Sequence, residues 1–240
     1  APNGFYTLLS YNGQPLRPKV IQPTAHQQVL DLRHALHRRS TTFALEDNRV
    51  QITAERFLSL ADPHLMVMVY RFRSVQAGEV VVETGIDADV WDLNGPHFAE
   101  VRFAVAGPVR TATARTNEGK LITVAETVSG LDGQRELVTG EQRMLQRITI
   151  RAEAGKEYCF YKYIAVYTSA DSEWGAAGDE PNLLAQESVR QAVDTGFEQL
   201  RAKHIACWAK RWWRSRVHVD GDPEAQFAID YSVYHLLATA

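Results

Sequence analysis

The sequence is short of several features that mark particular kinds of protein. Its 240 residues include two cysteines, Cys159 and Cys207. They form neither a CxxC pair nor a disulfide framework, and as free thiols they fit a reducing, cytoplasmic setting. Cys159 falls in an apolar, aromatic strand and Cys207 in a helix, so both are expected to be buried. No apolar run approaches the roughly 18–20 residues that span a bilayer, which predicts no membrane helix. The opening APNGFYTLLS has no basic stretch followed by a long apolar one, so no signal peptide is visible. The net charge is only −3, and no general basic field draws nucleic acid or anionic lipid. There is no GxSxG, no cysteine-nucleophile signature, no phosphate loop and no GxGxxG, which leaves no cofactor motif. Carboxylates are numerous, but no spacing singles out an acid and a base.

What is present is the balance of a globular domain. Hydrophobic residues make up 45% and charged residues 23%, which excludes a disordered chain. Residues 1 to about 168 read as β. Leu65 to Arg73 (LMVMVYRFR) places Val67, Val69 and the stem of Arg71 on one face and Met68, Tyr70 and Phe72 on the other, a strand with at least one buried face. Gly78–Thr84, Phe98–Val105, Lys120–Val128, Leu145–Ala152 and Tyr158–Thr168 follow, separated by turn signals such as Asn94-Gly95-Pro96, Asn117-Glu118-Gly119 and Asp132-Gly133. Many strands without intervening helices predict an antiparallel sandwich.

After Thr168 the composition changes. Residues 169–182 are rich in Gly, Asp and Pro and read as a loop. Val189, Val193, Phe197, Leu200, His204, Trp208 and Trp212 then recur at spacings of three and four, which predicts one continuous amphipathic helix from about Leu184 to Ser215. A short extended piece, Val217–Val219, leads to Gly221-Asp222-Pro223-Glu224. There Asp222 is a natural N-cap and Pro223 suits the first helical position. The helix that follows is apolar almost all round, through Phe227, Ile229, Tyr231, Val233, Tyr234, Leu236 and Leu237. Such a helix requires burial on several sides, so it is expected to belong to a further domain.

The chemical candidates each have a plainer explanation. His34 and His37 could share a helical face, but no Cys, Asp or Glu cluster completes a metal site, and Arg33, Arg38 and Arg39 would repel a cation; no metal is expected. The cations and aromatics from Lys210 to Arg216 continue a helix and suit its C-terminal end better than they suit nucleic acid. Trp91 and Trp174 stand in loop-like segments and are the candidates for a carbohydrate platform. Residue chemistry alone specifies no reaction.

Four segments, in this order, resemble glycoside hydrolase family 65, the inverting disaccharide phosphorylases and related hydrolases. Leu30-Asp31-Leu32-Arg33…Leu36…Arg38 is similar to the family's LDMR-x-G-x-L-x-R stretch, with Leu32 in place of Met and His34 or Ala35 in place of Gly. Glu55-Arg56-Phe57-Leu58-Ser59 with Asp62-x-His64 resembles the strand pair that follows. Gly85-Ile86-Asp87…Val90…Asn94 resembles IDG-x-V-x-N, with Ala88 in place of Gly. The most specific is Trp208…Trp212-Trp213…Val217-x-Val219-Asp220-Gly221-Asp222-x-Glu224-Ala225-Gln226…Tyr231…Tyr234-His235-Leu236-Leu237.

The resemblance implies a mainly β chain: an antiparallel super-sandwich over 1–168 that lacks its first strands, a loop and linker helix over 169–221, and over 222–240 the first helix of an (α/α)6 barrel. It implies an enzyme whose catalytic residues lie beyond Ala240, so this chain is expected to be inactive alone. The partners implied are a disaccharide and inorganic phosphate, with neither nucleic acid nor membrane, and a homodimer is compatible. Asp31 and Arg33 are expected as internal partners holding the sandwich, Asp222 as the cap of the first barrel helix, and His235 as a packed barrel residue. A trehalase-like hydrolase and a stand-alone carbohydrate-binding or protein-interaction module are the alternatives.

Overall fold

The computed structural model describes residues 1–92, 95–171 and 181–239. The strands in chain order begin with β1 (Thr7–Tyr11), β2 (Gln14–Pro15), β3 (Ala25–Asp31), β4 (Leu36–Leu45) and β5 (Asn48–Leu58). Next come β6 (Leu65–Ser74), β7 (Gly78–Asp87), β8 (Trp91–Asp92), β9 (Gly95–Pro96) and β10 (Phe98–Ala106). The last are β11 (Val109–Thr116), β12 (Leu121–Ser129), β13 (Gln134–Thr139), β14 (Arg143–Ala152) and β15 (Glu157–Thr168). Helices α1 (Pro181–Thr195), α2 (Phe197–Ser215) and α3 (Pro223–Thr239) close the described chain.

The strands build an eight-stranded sheet in the order β10-β11-β12-β15-β6-β5-β4-β3 and a five-stranded sheet in the order β13-β14-β7-β1-β2. Every pairing is antiparallel, as expected of a sandwich. The alternation in β6 explains the layering. Met68, Tyr70 and Phe72 face the five-stranded sheet in a core with Leu9, Val80, Val82 and Ile148. Val67 and Val69 face the other way and pack with Ala185, Val189, Phe197 and Leu200 of α1 and α2. The larger sheet is therefore covered on both faces, and β6 is apolar on both for that reason.

The expected single helix is two. Gly196, at φ +80°, separates α1 from α2. The apolar repeat runs unbroken across that residue, so periodicity could not register the break; glycine's access to positive φ supplies it. Cys159 and Cys207 are unpaired, and both are half-buried where full burial was expected. His34 and His37 share no helical face: His34 lies in the turn between β3 and β4, and His37 on β4.

Two features shape the interior of the sandwich. Within the five-stranded sheet, Gly85 lies where a Cβ would collide with the Met144 carbonyl oxygen and with Leu145 Cα, so β7 and β14 pair as closely as they do because the residue is glycine. A buried charge cluster crosses between the sheets. Arg110 and Glu126 face each other in the β11–β12 register and hydrogen-bond. Lys162 Nζ lies 3.6 Å from Glu126 Oε2. It donates to the Tyr6 carbonyl at 3.0 Å, to Thr84 Oγ1 at 2.8 Å and to the Gly85 carbonyl at 2.9 Å. Burial pushes the Lys162 ammonium down to about 8, with Glu126 opposing that shift.

Candidate functional site

Three of the four segments singled out in the sequence meet at one joint, where the turn between β3 and β4 receives α2. His204, fully buried, is the pivot. Its Nδ1 accepts from the Leu60 backbone N–H at 3.1 Å, which requires the proton on Nε2. Nε2 then donates to the carbonyls of His34 at 2.9 Å and Ala35 at 3.3 Å. Desolvation lowers the His204 pKa, outweighing the two backbone acceptors. Its ring stacks on Phe57 with centroids 4.7 Å apart. One helical turn-pair further on, Trp212 Nε1 donates to the Leu32 carbonyl at 3.2 Å. Ala35 itself holds φ +51°, a left-handed conformation that glycine adopts without strain.

Charge pairs surround this joint. Asp31 accepts from His34 Nδ1 at 2.8 Å and from the His34 N–H at 3.2 Å, and Arg38 lies 3.7 Å away. Burial raises the Asp31 carboxyl, but these bonds and charges outweigh it and hold the pKa below its ordinary value. The expected Asp31–Arg33 partnership is replaced by this one: Arg33 is exposed, because the turn aims its side chain outward while His34 and Arg38 close on the carboxylate. Glu55 is bridged by Arg38 at 2.7 Å and by Arg201 of α2 at 2.6 Å. Those two cations carry its pKa below the ordinary value against the effect of burial. The His64 ring stacks on Tyr167 with centroids 3.9 Å apart, and its Nδ1 donates to the Val166 carbonyl at 2.8 Å.

From this joint α2 and α3 run as a hairpin. Asp222 Oδ1 accepts from the Ala225 N–H at 2.9 Å, at the start of α3. Gln226 clasps the extended piece before it, accepting from Val219 N–H at 2.8 Å and donating to the Val217 carbonyl at 3.0 Å. Trp208 stacks on Tyr234 at 5.3 Å, and Arg211 donates to the Leu237 carbonyl. Between the turn, α2 and α3 lies an open groove of about 570 Å³ lined by Leu32, Ile205, Trp212, Trp213, Phe227 and Asp230, among others. No residue of α3 is fully buried. Trp213 is 87% exposed, Leu236 70% and Phe227 64%. His235, expected as packed, is exposed between the rings of Tyr231 and Tyr234, because nothing in this structure covers that face.

The groove and the outer face of α3 therefore present exposed apolar and aromatic surface. Among the described residues no cluster of three or more His, Cys, Asp or Glu could hold a metal, and none of the helices there is long and apolar enough to cross a membrane. Trp91 is 73% exposed on β8, remote in sequence from the joint. Trp174 and Asn94 lie outside the described residues.

Residues 1–211 match the N-terminal domain of glycosyl hydrolase family 65. The chain belongs to that family. It is 31% identical over 261 residues to the nigerose phosphorylase of Lachnoclostridium phytofermentans, covering 98% of this chain and 34% of that protein. It is 26% identical over 239 residues to the 1,2-alpha-glucosylglycerol phosphorylase of Bacillus selenitireducens, covering 98% of this chain and 30% of that one. The chain thus spans about a third of the length of these family 65 relatives. A solved human-microbiome structure, provisionally described as a kojibiose phosphorylase, superposes with TM-score 0.90 at 16% identity, over 99% of this chain and 31% of its own. That likeness shows that the two sheets and the helices after them share its fold.

Proposed function

We propose that this chain is the sandwich and linker part of an inverting α-glucosidic disaccharide phosphorylase, and that α3 and the groove beside it seat the catalytic domain of the same polypeptide. The observation that carries this reading is α3: an all-round apolar helix, well capped and anchored to α2, with none of its residues buried. In this reading the sandwich ends at 168, the linker occupies 169–221 and the catalytic barrel starts at 222. The family 65 relatives named as phosphorylases support the reaction class. In the complete enzyme a carboxylic acid protonates the glycosidic oxygen, and inorganic phosphate attacks the anomeric carbon from the opposite face. The products are a β-sugar 1-phosphate and glucose. This chain's share is to hold the linker at a fixed angle through His204 and Trp212. A cytoplasmic location, compatible with two free thiols, and assembly as a homodimer belong to the same proposal.

The test compares the 240-residue chain with a polypeptide extended to the length of its relatives, on nigerose, kojibiose, maltose and trehalose with phosphate. The extended protein should release sugar 1-phosphate and the 240-residue chain should not. Turnover by the 240-residue chain refutes the proposal. Release of two free sugars without uptake of phosphate would make the parent a hydrolase.

A further inference from the structure

The eight-stranded sheet is wider than the sheet packed on it, so the inner face of β3 and β4 continues past the edge formed by β1 and β2. A cleft of about 270 Å³ opens there, on the opposite face of β4 from the Arg38–Glu55 pair. Its floor is apolar, with Phe43, Ile52 and Tyr70 all buried. Its charged lining is basic: Arg17 and Arg39 line it with His26 and the hydroxyls of Tyr6, Thr7 and Thr41, and no carboxylate does.

The contrast between neighbours on β4 is informative. Arg38, on the outer face, is matched by two carboxylates, Asp31 and Glu55. Arg39, on the inner face, has no carboxylate within ion-pair distance among the described residues, and neither has Arg17, whose guanidinium donates only to Tyr6 Oη, at 3.0 Å. Arg39 also lies among like charges. On the same inner face the Arg56 pKa is lowered by desolvation and then by the Arg39 charge, and the His37 pKa by desolvation, then by Arg56 and then by Arg39. Arg56 rests over the Phe5 ring at 5.5 Å, again without a carboxylate. His26 and Thr41 are already oriented by each other, Nδ1 to Oγ1 at 3.0 Å. Arg17 and Arg39 thus line one concave site, exposed to solvent and without a carboxylate, and such a pair suits an oxyanion, since each planar fork matches two phosphate oxygens.

We propose that this cleft is an anion site for a phosphoryl group, held by Arg39 and Arg17. The phosphoryl group could arrive as inorganic phosphate or as the monoester of a small sugar, for which the buried aromatic and aliphatic floor provides an apolar face. The site is separate from the α2–α3 groove, and its test does not depend on the catalytic reading.

The experiment is calorimetric titration of the 240-residue chain with inorganic phosphate and with glucose 1-phosphate, at ionic strength held constant with chloride. Binding should be saturable, and Arg39→Gln should weaken it about tenfold or more, the loss expected for a charge-assisted bond. Arg17→Gln should act in the same direction. Arg102→Gln, on exposed β10, should change nothing. Melting without ligand checks the fold of each variant, and Arg39→Gln should be no less stable than the parent because a like-charge neighbour has been removed. A monoester that binds tighter than phosphate identifies the ester as the ligand; equal binding identifies the free ion. Absence of saturable binding of either, or equal affinity in the parent and in both Arg39→Gln and Arg17→Gln, overturns the proposal.

Discussion

Replacing Glu126 by Gln tests whether the charge cluster between the sheets is held by its one anion. The substitution keeps the side chain's size and removes its charge. Two cations are left, Arg110 and Lys162, both within a space with almost no solvent exposure. They respond differently. Arg110 loses its buried counter-ion, which should cost about 3–5 kcal/mol. Lys162 can escape by losing its proton. In the parent its pKa is about 8 against an ordinary 10.5. Glu126 opposes that depression at 3.6 Å, an attraction of roughly 5 kcal/mol at an effective dielectric of about 20. Without Glu126 the native lysine sheds its proton at a lower pH than in the parent. Above pH 8 native Lys162 is neutral in both proteins and adds nothing to the difference between them. Below pH 8 the parent's native state binds a proton that the variant's does not, so the difference grows by up to about 1.4 kcal/mol for each pH unit. Urea denaturation at about pH 9 and about pH 6.5 measures this directly. A loss below about 1 kcal/mol, or one of equal size at both pH values, would refute the assignment of Glu126 as the common counter-ion.

The other predictions concern the joint and the close approach of β7 to β14. Desolvation lowers the His204 pKa in the folded state, so the unfolded chain binds the proton more readily. His204 therefore contributes its full stability above its unfolded value of 6.5, and that contribution is lost as pH falls below it. His204→Gln should be less stable at neutral pH and should show a shallower loss of stability on acidification; parallel pH profiles for parent and variant would contradict the neutral, Nε2-protonated ring. Gly85→Ala should lower stability by about 2 kcal/mol or more, since the added methyl meets the backbone of β14 and no side chain there can move aside. A melting temperature equal to the parent's would show that the two strands can separate at no cost.

The β character of residues 1–168 was legible because a strand buried on one face writes its alternation into the sequence, as Met68, Tyr70 and Phe72 do. The second cover on the larger sheet was less so: Val67 and Val69 face α1 and α2, and a strand apolar on both faces shows only that it is buried, not by what. The helix pair reads as one helix because Gly196 falls between two apolar positions that keep their spacing. The Asp31–Arg33 pairing failed for a similar local reason, since adjacency in a turn says little about which side chain turns inward. The charge cluster does leave a signal in the sequence. Glu126 and Lys162 occupy inward positions in otherwise apolar strands, between Val124 and Val128 and between Phe160 and Ile164. The register then places Arg110 opposite Glu126. The cleft around Arg39 was not legible at all, because its parts come from β1, from the segment after β2 and from β3 to β6, and only the unequal widths of the two sheets leave it open.

The joint shows why segments some 170 residues apart carried the family resemblance together. Side-chain packing between a helix and a sheet tolerates substitution when volume is conserved, and it leaves the crossing angle loosely specified. Here the angle is set by hydrogen bonds from two ring N–H groups, His204 Nε2 and Trp212 Nε1, to backbone carbonyls of a single turn, residues 32 to 35. A third bond runs from the Leu60 N–H to the opposite nitrogen of the same imidazole. These contacts require a particular backbone path, including the left-handed residue at Ala35, and particular donors on one face of α2. Neither half can change alone without leaving a buried polar group unpaired, at a cost of about 1–3 kcal/mol. The turn sequence and the helix sequence are therefore specified jointly, and what they specify is the direction in which α2 carries α3 away from the sandwich.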